Sequence, residues 1–342
     1  MLCPPRMPRR LTNLLLLLLV LAALASGLLG WALPESLGWP LYDLHRLVAS
    51  ALLVLLVWKQ LIVRASLERR LGRRPWDRSV MVGTLAGLVL LGSLALGLAW
   101  TLDLVSFDSF GGYSPLNIHI FLALAVLPFL LWHLLRRWER RPSAKQLASR
   151  RNALHLIGLG TLAVLAWQLT ERAASAWALA GSRRQSGSKH AASFSGNDFP
   201  VTIWLFDPIP ALATEAWTLQ VIGNVARPAS VSFQQLLSFP ARKLTAVLDC
   251  TGGWWSEQVW QGISVGDVLV ASGASATART VQVVSVTGHR WAFPIGELRD
   301  ALLATHVGGE PLTPGHGYPV RLVAPGRRGF QWVKWVGRLE VY

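Results

Sequence analysis

Five long apolar runs alternate with short polar segments in the first half of the chain. They lie near residues 11–31, 45–63, 80–101, 116–135 and 152–169. Each run has about 18–22 residues, enough for a helix to cross a hydrocarbon layer about 30 Å thick. The pattern therefore predicts an α-helical membrane bundle of about five spans over residues 1–180.

The pattern changes after residue 180. Residues 181–198 are rich in Ser and Gly and predict a linker. From residue 199, short β-branched runs such as VTIWLF and TVQVVSV are interrupted by Gly and Pro, with helix-like pieces such as VSFQQLLSF and IGELRDALLATHV. This texture predicts a mixed α+β domain over residues 199–342, which is large enough for a core of its own.

Charge adds an orientation to this picture. The chain is 52% hydrophobic with a formal net charge of +15, and the basic excess lies mainly among the apolar runs. Such a composition is typical of a membrane protein and makes binding of nucleic acid the weaker interpretation. Lys and Arg precede the first run and separate the second from the third and the fourth from the fifth, while the other two connections have none. The positive-inside rule then predicts a cytoplasmic amino terminus and a second domain on the periplasmic side of a bacterial inner membrane.

Four histidines lie in or at the ends of the predicted spans, where ionisable groups are costly and often functional. His45 and His119 start spans on the outer side, whereas His133 and His155 lie near the cytoplasmic side. On one helix, His119 and His133 would share a face to within about 40° and lie about 21 Å apart along the axis. This spacing suits two bis-histidine haems, one per side. The alternative is that the histidines cap helix ends at the membrane interface.

The histidine set resembles the membrane cytochrome b subunits of bacterial formate dehydrogenases and hydrogenases. In those subunits one helix carries two haem-ligating histidines at this spacing. The resemblance implies one haem b, or two, in contact with a lipid bilayer and exchanging electrons with quinone or another carrier. Because the first span has no histidine, the inner haem depends on His155.

A twin-arginine pattern, Ser149-Arg150-Arg151-x-x-Leu154, precedes the fifth span. It looks like an export signal placed in mid-chain, as a domain that folds around its cofactor before export would need. The alternative is that Arg150 and Arg151 only belong to the basic cytoplasmic side.

Cys250 is one of two cysteines and ends the predicted strand AVLDC, before a Gly-Gly-Trp-Trp turn. A thiolate at a strand end beside bare glycine backbone makes a site for a soft metal. One thiolate with no nearby Cys or His does not suit zinc or an iron–sulfur cluster. The other ligands would therefore come from a cofactor, and the alternative is an inert core cysteine.

Five ordered blocks from about residue 199 to 341 resemble the molybdopterin-binding domain of the sulfite oxidase family. They are FPVT, WTLQVIGNVARPASVSFQQLLSFP, LDCTGGWWSEQVWQGISVGDVL, LLATHVGGEPLTPGHGYPVRLVAPG and GFQWVKWVGRLEV. The resemblance implies that fold, an oxidoreductase activity, and Cys250 as the molybdenum ligand at the catalytic centre beside the pterin.

The same resemblance implies the rest of the cofactor site. It assigns His316 and Arg321 to the pterin phosphate and Lys334 to the same pocket. It also implies backbone contact of Gly317 and Gly329 with the cofactor. Sulfite oxidases carry an Arg-Asn-His run near the metal. Only Asn197 matches that run here, and the resemblance makes it a candidate for binding the cofactor.

The departures from sulfite oxidases affect the expected substrate. The resemblance runs only to Tyr342, so the segment with the active-site tyrosine of sulfite oxidases is expected to be absent. Arg327 and Arg328 either partly replace the missing cationic and phenolic groups of the sulfite site or are solvated. The domain is more similar to bacterial periplasmic methionine sulfoxide reductases. We expect a membrane-anchored molybdenum oxidoreductase for oxygen-atom transfer, with reduction of a small S- or N-oxide favoured. The alternatives are a sulfite-like dehydrogenase and a non-catalytic electron-transfer subunit.

Overall fold

The computed structural model describes residues 7–33, 35–71, 78–107, 110, 113–137, 142, 149–176, 184, 186–203 and 207–342. The chain divides into two compact units. The first is built mainly from the first half of the chain, and the second mainly from Ser188–Tyr342. Each unit is described separately below.

Long helices form the first unit. They are α1 (Arg9–Ala32), α2 (Glu35–Leu71), α3 (Arg78–Thr101), α4 (Pro115–Arg137) and α5 (Arg150–Ala176). All five are long and apolar enough to cross a membrane, which confirms the predicted series of apolar helices. The α2 helix extends beyond the predicted run 45–63 at both ends. Charged and polar residues before and after that run lower the local hydropathy, so hydropathy alone does not reveal the rest of the helix. Insertion into a membrane stays a prediction.

The helices of this unit pack through small and aliphatic side chains. Leu52 on α2 is fully buried between Val20 on α1 and Leu94 on α3. The α3 and α4 helices pack along each other. The basic segments around residues 72–77 and 138–148, on which the predicted orientation depends, lie almost wholly outside the described residues.

Two sheets form the second unit. The first has the order β1 (Lys189–His190), β5 (Trp254–Ser264), β8 (Leu302–Val307), β10 (Arg321–Val323), with β4 (Ala241–Asp249) paired to β5 and β9 (Glu310–Pro311) paired to β8. The second has the order β3 (Ala229–Ser232), β2 (Thr218–Gly223), β11 (Val336–Val341), β6 (Thr280–Ser285), β7 (Arg290–Pro294). The predicted mixed α+β domain is thereby confirmed.

Short helices connect these strands, and two of them start at a capping serine. Ser232 forms a capping box with Gln235 at the start of α6 (Phe233–Leu237), and Ser264 caps α7 (Val265–Ala271). The helix-like piece IGELRDALLATHV divides into α8 (Ile295–Leu298) and the strand β8. Prediction of a single helix there is wrong, because β8 is a central strand buried on both faces and so lacks the alternation that identifies a strand.

Part of the predicted linker 181–198 belongs to the second unit. The β1 strand pairs in parallel with β5, and a 3-10 turn follows at Gly196–Asp198. Residues 181–183 and 185 lie outside the described residues. The segment 188–198 is thus hydrogen-bonded to the sheet that carries Cys250.

Candidate functional site

In the first unit, His45 on α2 and His119 on α4 face each other. Their ring centroids are 6.0 Å apart and the ring planes make an angle of 84°. Nδ1 of His45 lies 2.9 Å from the carbonyl oxygen of Ala23, and Nδ1 of His119 lies 2.7 Å from that of Ser93. A carbonyl oxygen only accepts hydrogen bonds, so Nδ1 carries the hydrogen in both neutral rings and Nε2 carries the lone pair.

The separation of these rings fits a shared metal ion. A metal held at about 2 Å from each of two opposed imidazole nitrogens places the ring centroids about 6 Å apart. The rings of His45 and His119 are therefore close enough together for both to bind one haem iron, if haem is bound here. Their role as ligands stays a prediction.

The two inner histidines have different neighbours. His133 on α4 lies against Gly83 on α3, where a Cβ would be 3.5 Å from its Nδ1. His155 on α5 lies beside Trp58 on α2, with 5.8 Å between ring centroids. Nδ1 of His155 has no hydrogen-bond partner within the described part of the chain. Ligation of a second haem by His133 and His155 also stays a prediction.

In the second unit, Cys250 directly follows β4 and its thiol is buried. The thiol sulfur accepts hydrogen bonds from the backbone N–H of Gly252, at 3.3 Å, and from the hydroxyl of Thr202. Burial raises the pKa of the Cys250 thiol, and these hydrogen bonds together with the nearby cations Lys334 and Arg328 oppose that rise. Over the described ranges, no three His, Cys, Asp or Glu side chains gather as a metal site.

Lys334 bonds the backbone at Thr202 and interacts electrostatically with Cys250. Its ammonium donates hydrogen bonds to the carbonyl oxygens of Thr202, at 2.9 Å, and Gly315, at 2.5 Å. Burial, and next the charge of Arg321, lower the pKa of Lys334 to about 7, while attraction to Cys250 acts in the opposite direction. The charge on this group is therefore sensitive to any anion placed beside it.

Arg321 lies in the centre of the domain. Its guanidinium carbon is 5.0 Å from the ring centroid of Trp260 and 5.8 Å from that of Trp332. One terminal nitrogen donates to the carbonyl oxygen of His316 at 3.1 Å. Burial lowers the pKa of Arg321 to about 9, and attraction to Cys250 opposes this.

His316 uses both ring nitrogens within the protein. Nε2 lies 2.9 Å from the carbonyl oxygen of Phe199 and therefore carries the hydrogen, while Nδ1 accepts from the hydroxyl of Thr313 at 2.7 Å. Burial, and next the charge of Arg321, lower the pKa of His316 to about 4. His316 is thus neutral at ordinary pH and holds the segment that leads to Thr202. Its contact with a pterin phosphate stays a prediction.

Asn197 fastens two segments of the protein to each other. Its amide donates to the carbonyl oxygen of Pro311 at 2.9 Å, and its side-chain oxygen accepts from the backbone N–H of Thr313 at 3.1 Å. These bonds position the turn that carries His316. Its assignment to the cofactor stays a prediction.

The two predicted glycines permit close packing around the charged groups. Gly317 has φ of 109°, and a Cβ there would lie 2.9 Å from the Cβ of Arg321. A Cβ on Gly329 would lie 3.0 Å from the Cα of Cys250. A side chain at either position would therefore clash with atoms of the protein itself, whether or not a cofactor is bound. Contact of these glycines with a cofactor stays a prediction.

Sequence reasoning missed Asp249, which organises the other side of the cysteine. Its carboxylate forms ion pairs with Arg328, at 2.6 Å, and Arg184, at 3.4 Å, and accepts a hydrogen bond from the hydroxyl of Ser188 at 2.7 Å. An acidic residue directly after the apolar run AVL, residues 246–248, was the available signal. Arg327 is paired with Glu297, so neither arginine of this loop is simply solvated.

The charges around Cys250 fit an anionic cofactor. The Nε atoms of Arg321 and Arg328 are buried and have no hydrogen-bond partner among the described residues. Buried guanidinium nitrogens need an acceptor, and a phosphate or another anion is the acceptor that arginine binds best. Together with the Cys250 sulfur as a soft ligand, these groups suit a molybdenum–pterin cofactor.

Comparison with known proteins identifies similarity in the part of the chain that carries Cys250. The family model described as oxidoreductase molybdopterin binding domain matches residues 206–342. Inducible NADH nitrate reductase 2 of Glycine max is 30% identical over 169 residues, which cover 39% of this chain and 19% of that protein. The NADH nitrate reductase of Spinacia oleracea is also 30% identical, over 39% of this chain and 18% of its own length. The chain thus matches about a fifth of the length of these relatives.

A comparison with solved structures gives a further match. The sulfane dehydrogenase SoxCD from Paracoccus pantotrophus shows 28% identity with a TM-score of 0.38, covering 39% of this chain and 40% of that chain. The family match and the nitrate reductase relatives confirm the predicted resemblance to a molybdopterin-binding domain, which residues 206–342 match. The resemblance of the histidine set to membrane cytochrome b subunits stays a prediction.

Proposed function

We propose that the chain is a membrane-anchored molybdenum oxidoreductase that catalyses oxygen-atom transfer and uses b-type haem to exchange electrons with quinone. The observation that carries the catalytic part is the set of buried Cys250 and Arg321 with the half-buried Lys334 inside the matched domain. Cys250 would hold the metal, and the cations would hold the anionic pterin. When bound, this cofactor supplies two-electron oxygen-atom transfer chemistry.

The proposed reaction is reduction of a small S- or N-oxide. In the overall balance the oxide takes up two electrons and two protons and yields the reduced product and water, while one quinol gives up the same electrons and protons. Two relatives of the matched domain are named nitrate reductases, and nitrate is an oxide of nitrogen. Those names support the reductive direction and an oxygen-rich substrate.

The electron-transfer part is supported by the neighbouring rings of His45 and His119, whose centroids are 6.0 Å apart. Haem b bound by this pair would supply one-electron chemistry, which is needed to connect a quinone with a two-electron site. His133 and His155 are the candidates for a second haem.

Membrane anchoring is supported by apolar side chains on the outer faces of the helices. Leu88 on α3, Leu131 on α4 and Leu154 on α5 are 60%, 59% and 69% exposed, and in a bilayer such side chains would contact lipid. We place the amino terminus in the cytoplasm and the second unit on the periplasmic side of a bacterial inner membrane, because of the basic segments in the sequence.

Cofactor content and turnover of the full chain in detergent test this function. The wild-type protein should contain molybdenum and haem and should reduce methionine sulfoxide or nitrate with a quinol. Cys250→Ser should lose molybdenum and keep haem, and His119→Ala should lose haem and keep molybdenum. His190→Ala changes an exposed histidine in neither site and should keep both. Oxidation of sulfite without reduction of any oxide would instead favour the dehydrogenase alternative, and a wild-type protein free of molybdenum would contradict the proposal.

Export of the second unit through the twin-arginine signal has its own experiment. Arg150 and Arg151 begin α5, and replacing both by Lys keeps their charge. The replacement should leave a periplasm-dependent reporter fused after Tyr342 inactive. Lys at Arg136 and Arg137, at the end of α4, is the matched control and should not affect the reporter. An active reporter in the first variant would mean that these arginines only contribute positive charge.

A further inference from the structure

We propose that two carbonyl–glycine seats hold His45 and His119 in the orientation needed for ligation. A carbonyl–glycine seat is a backbone carbonyl at one helical position together with a glycine four residues later on the same helix. One seat is Ala23 with Gly27 on α1, and the other is Ser93 with Gly97 on α3. The inference rests on the proposed binding of haem and adds the residues that position the ligands.

The two seats have the same geometry. At His45, the carbonyl oxygen of Ala23 is 2.9 Å from Nδ1, and a Cβ on Gly27 would lie 3.0 Å from Cε1 and 3.2 Å from Nδ1. At His119, the carbonyl oxygen of Ser93 is 2.7 Å from Nδ1, and a Cβ on Gly97 would lie 3.1 Å from both Cε1 and Nδ1. Each ring therefore lies directly over a glycine and bonds the carbonyl one turn before it.

The spacing of four residues has a physical reason. In an α-helix, the carbonyl of one residue already accepts a hydrogen bond from the N–H of the fourth residue after it. The carbonyl oxygen has a second lone pair for the imidazole N–H. To reach that lone pair, the imidazole ring lies against the residue four positions after the carbonyl. A side chain at that position would push the ring away from the carbonyl.

A hydroxyl completes both seats. Oγ of Ser26 lies 3.3 Å from Nδ1 of His45, and Oγ of Ser93 lies 3.1 Å from Nδ1 of His119. The same three neighbours, a carbonyl, a hydroxyl and a glycine, thus occur at both rings although they come from different helices. We infer that this arrangement fixes the hydrogen on Nδ1 and the lone pair on Nε2.

A fixed Nδ1–H···O bond has two consequences for a ligating imidazole. It orients the ring before the metal binds, and it makes Nε2 a stronger electron donor. Stronger donation stabilises ferric iron and lowers the midpoint potential of a haem. Gly27 and Gly97 are therefore positioning residues, which act through His45 and His119.

The glycine contacts of the inner histidines differ from those of the outer pair. Gly83 and Gly97 are 14 residues apart on α3, and His119 and His133 are 14 residues apart on α4. Gly97 lies beside His119 and Gly83 beside His133, so each histidine of α4 has a glycine of α3 next to it. The contact of Gly83 with His133 is looser, at 3.5 Å. Among the described glycines, none has His155 among the nearest neighbours that a Cβ would meet.

Glycine substitutions on α3 test the seats in the full-length protein in detergent. Gly97→Ala and Gly97→Val place a side chain against His119. Gly87→Ala and Gly87→Val are the matched controls, because Gly87 lies on the same helix and a Cβ there meets nothing within 4 Å. The measurements are haem per chain, the electron paramagnetic resonance spectrum of low-spin ferric haem, and the midpoint potential by optical titration.

We expect Gly97→Val to retain haem about 10-fold more weakly, a loss typical of disturbed outer-shell partners. Gly97→Ala should raise the midpoint potential and shift the low-spin g values, while both Gly87 variants match the wild type. Haem content, g values and potential unchanged in both Gly97 variants would overturn the seats. If Gly97→Val does not accumulate in the membrane, the midpoint potentials of Gly97→Ala and of the equivalent Gly27→Ala are compared with that of the wild type. Wild-type potentials in both variants would overturn the inference. A wild-type protein without haem would contradict the haem-dependent part of the proposed function, and this result is distinct from any difference between the variants.

Discussion

The carboxylate of Asp249 and the guanidinium of Arg328 form a buried ion pair, with 2.6 Å between the carboxylate oxygen and a terminal nitrogen. Their side chains are only 7% and 5% exposed. Asp249 directly precedes Cys250, and Arg328 directly precedes Gly329. The pair therefore ties the strand end that carries the thiol to the turn that packs against it.

Breaking this pair should destabilise the second unit strongly. Asp249→Asn leaves the buried charge of Arg328 without its partner, at a cost of about 3–5 kcal/mol. The matched control is Asp267→Asn, which breaks the more exposed pair with Arg242, whose side chains are 29% and 52% exposed, at a cost of about 0–1 kcal/mol. Thermal unfolding followed by tryptophan fluorescence compares the two, and equal losses of melting temperature would contradict the importance of the buried pair.

Gly329→Ala should disturb the cysteine directly. The added Cβ would lie 3.0 Å from the Cα of Cys250 and 3.1 Å from the carbonyl oxygen of Asp249, and backbone atoms cannot move aside as a flexible side chain can. We expect a loss of about 1–3 kcal/mol in stability and a reduced molybdenum content. Gly296→Ala is the control, because a Cβ there meets nothing within 4 Å. Full molybdenum content in Gly329→Ala would show that the turn adapts without affecting the site.

The burial of His316 should make the protein more sensitive to acid. Its pKa is lowered from 6.5 to about 4 in the folded protein, mainly by burial. Between these values the unfolded chain binds a proton that the folded protein does not, so stability falls as the pH falls from about 6.5 to 4. His316→Gln should lose less melting temperature over this window than the wild type. His190→Gln, at an exposed position, should behave as the wild type, and equal slopes for all three proteins would contradict the prediction.

The sequence predicted the elements whose signals are local. The five apolar helices are identified by hydropathy over about 20 residues, and the strand ending at Cys250 by its β-branched run before two glycines. It failed at β8, because a central strand and a buried helix share the same apolar composition. The position of Asp249 between two arginines, and of Gly97 beneath His119, depend on contacts between distant segments. No pattern within one segment encodes those contacts.

Lys334 should make stability depend on pH in the alkaline range. Burial, and next the charge of Arg321, lower its pKa from 10.5 to about 7 in the folded protein. Between these values the unfolded chain keeps a proton that the folded protein has released, so stability rises with pH from about 7 to 10.5, and below that range the full cost of the buried charge is present. In cofactor-free protein, Lys334→Met should abolish this rise in melting temperature, whereas Lys243→Met, at an exposed lysine, should keep it. An anionic cofactor beside Lys334 favours its charged form, so the rise should begin at higher pH in molybdenum-loaded protein, and identical profiles with and without cofactor would place the anion away from Lys334.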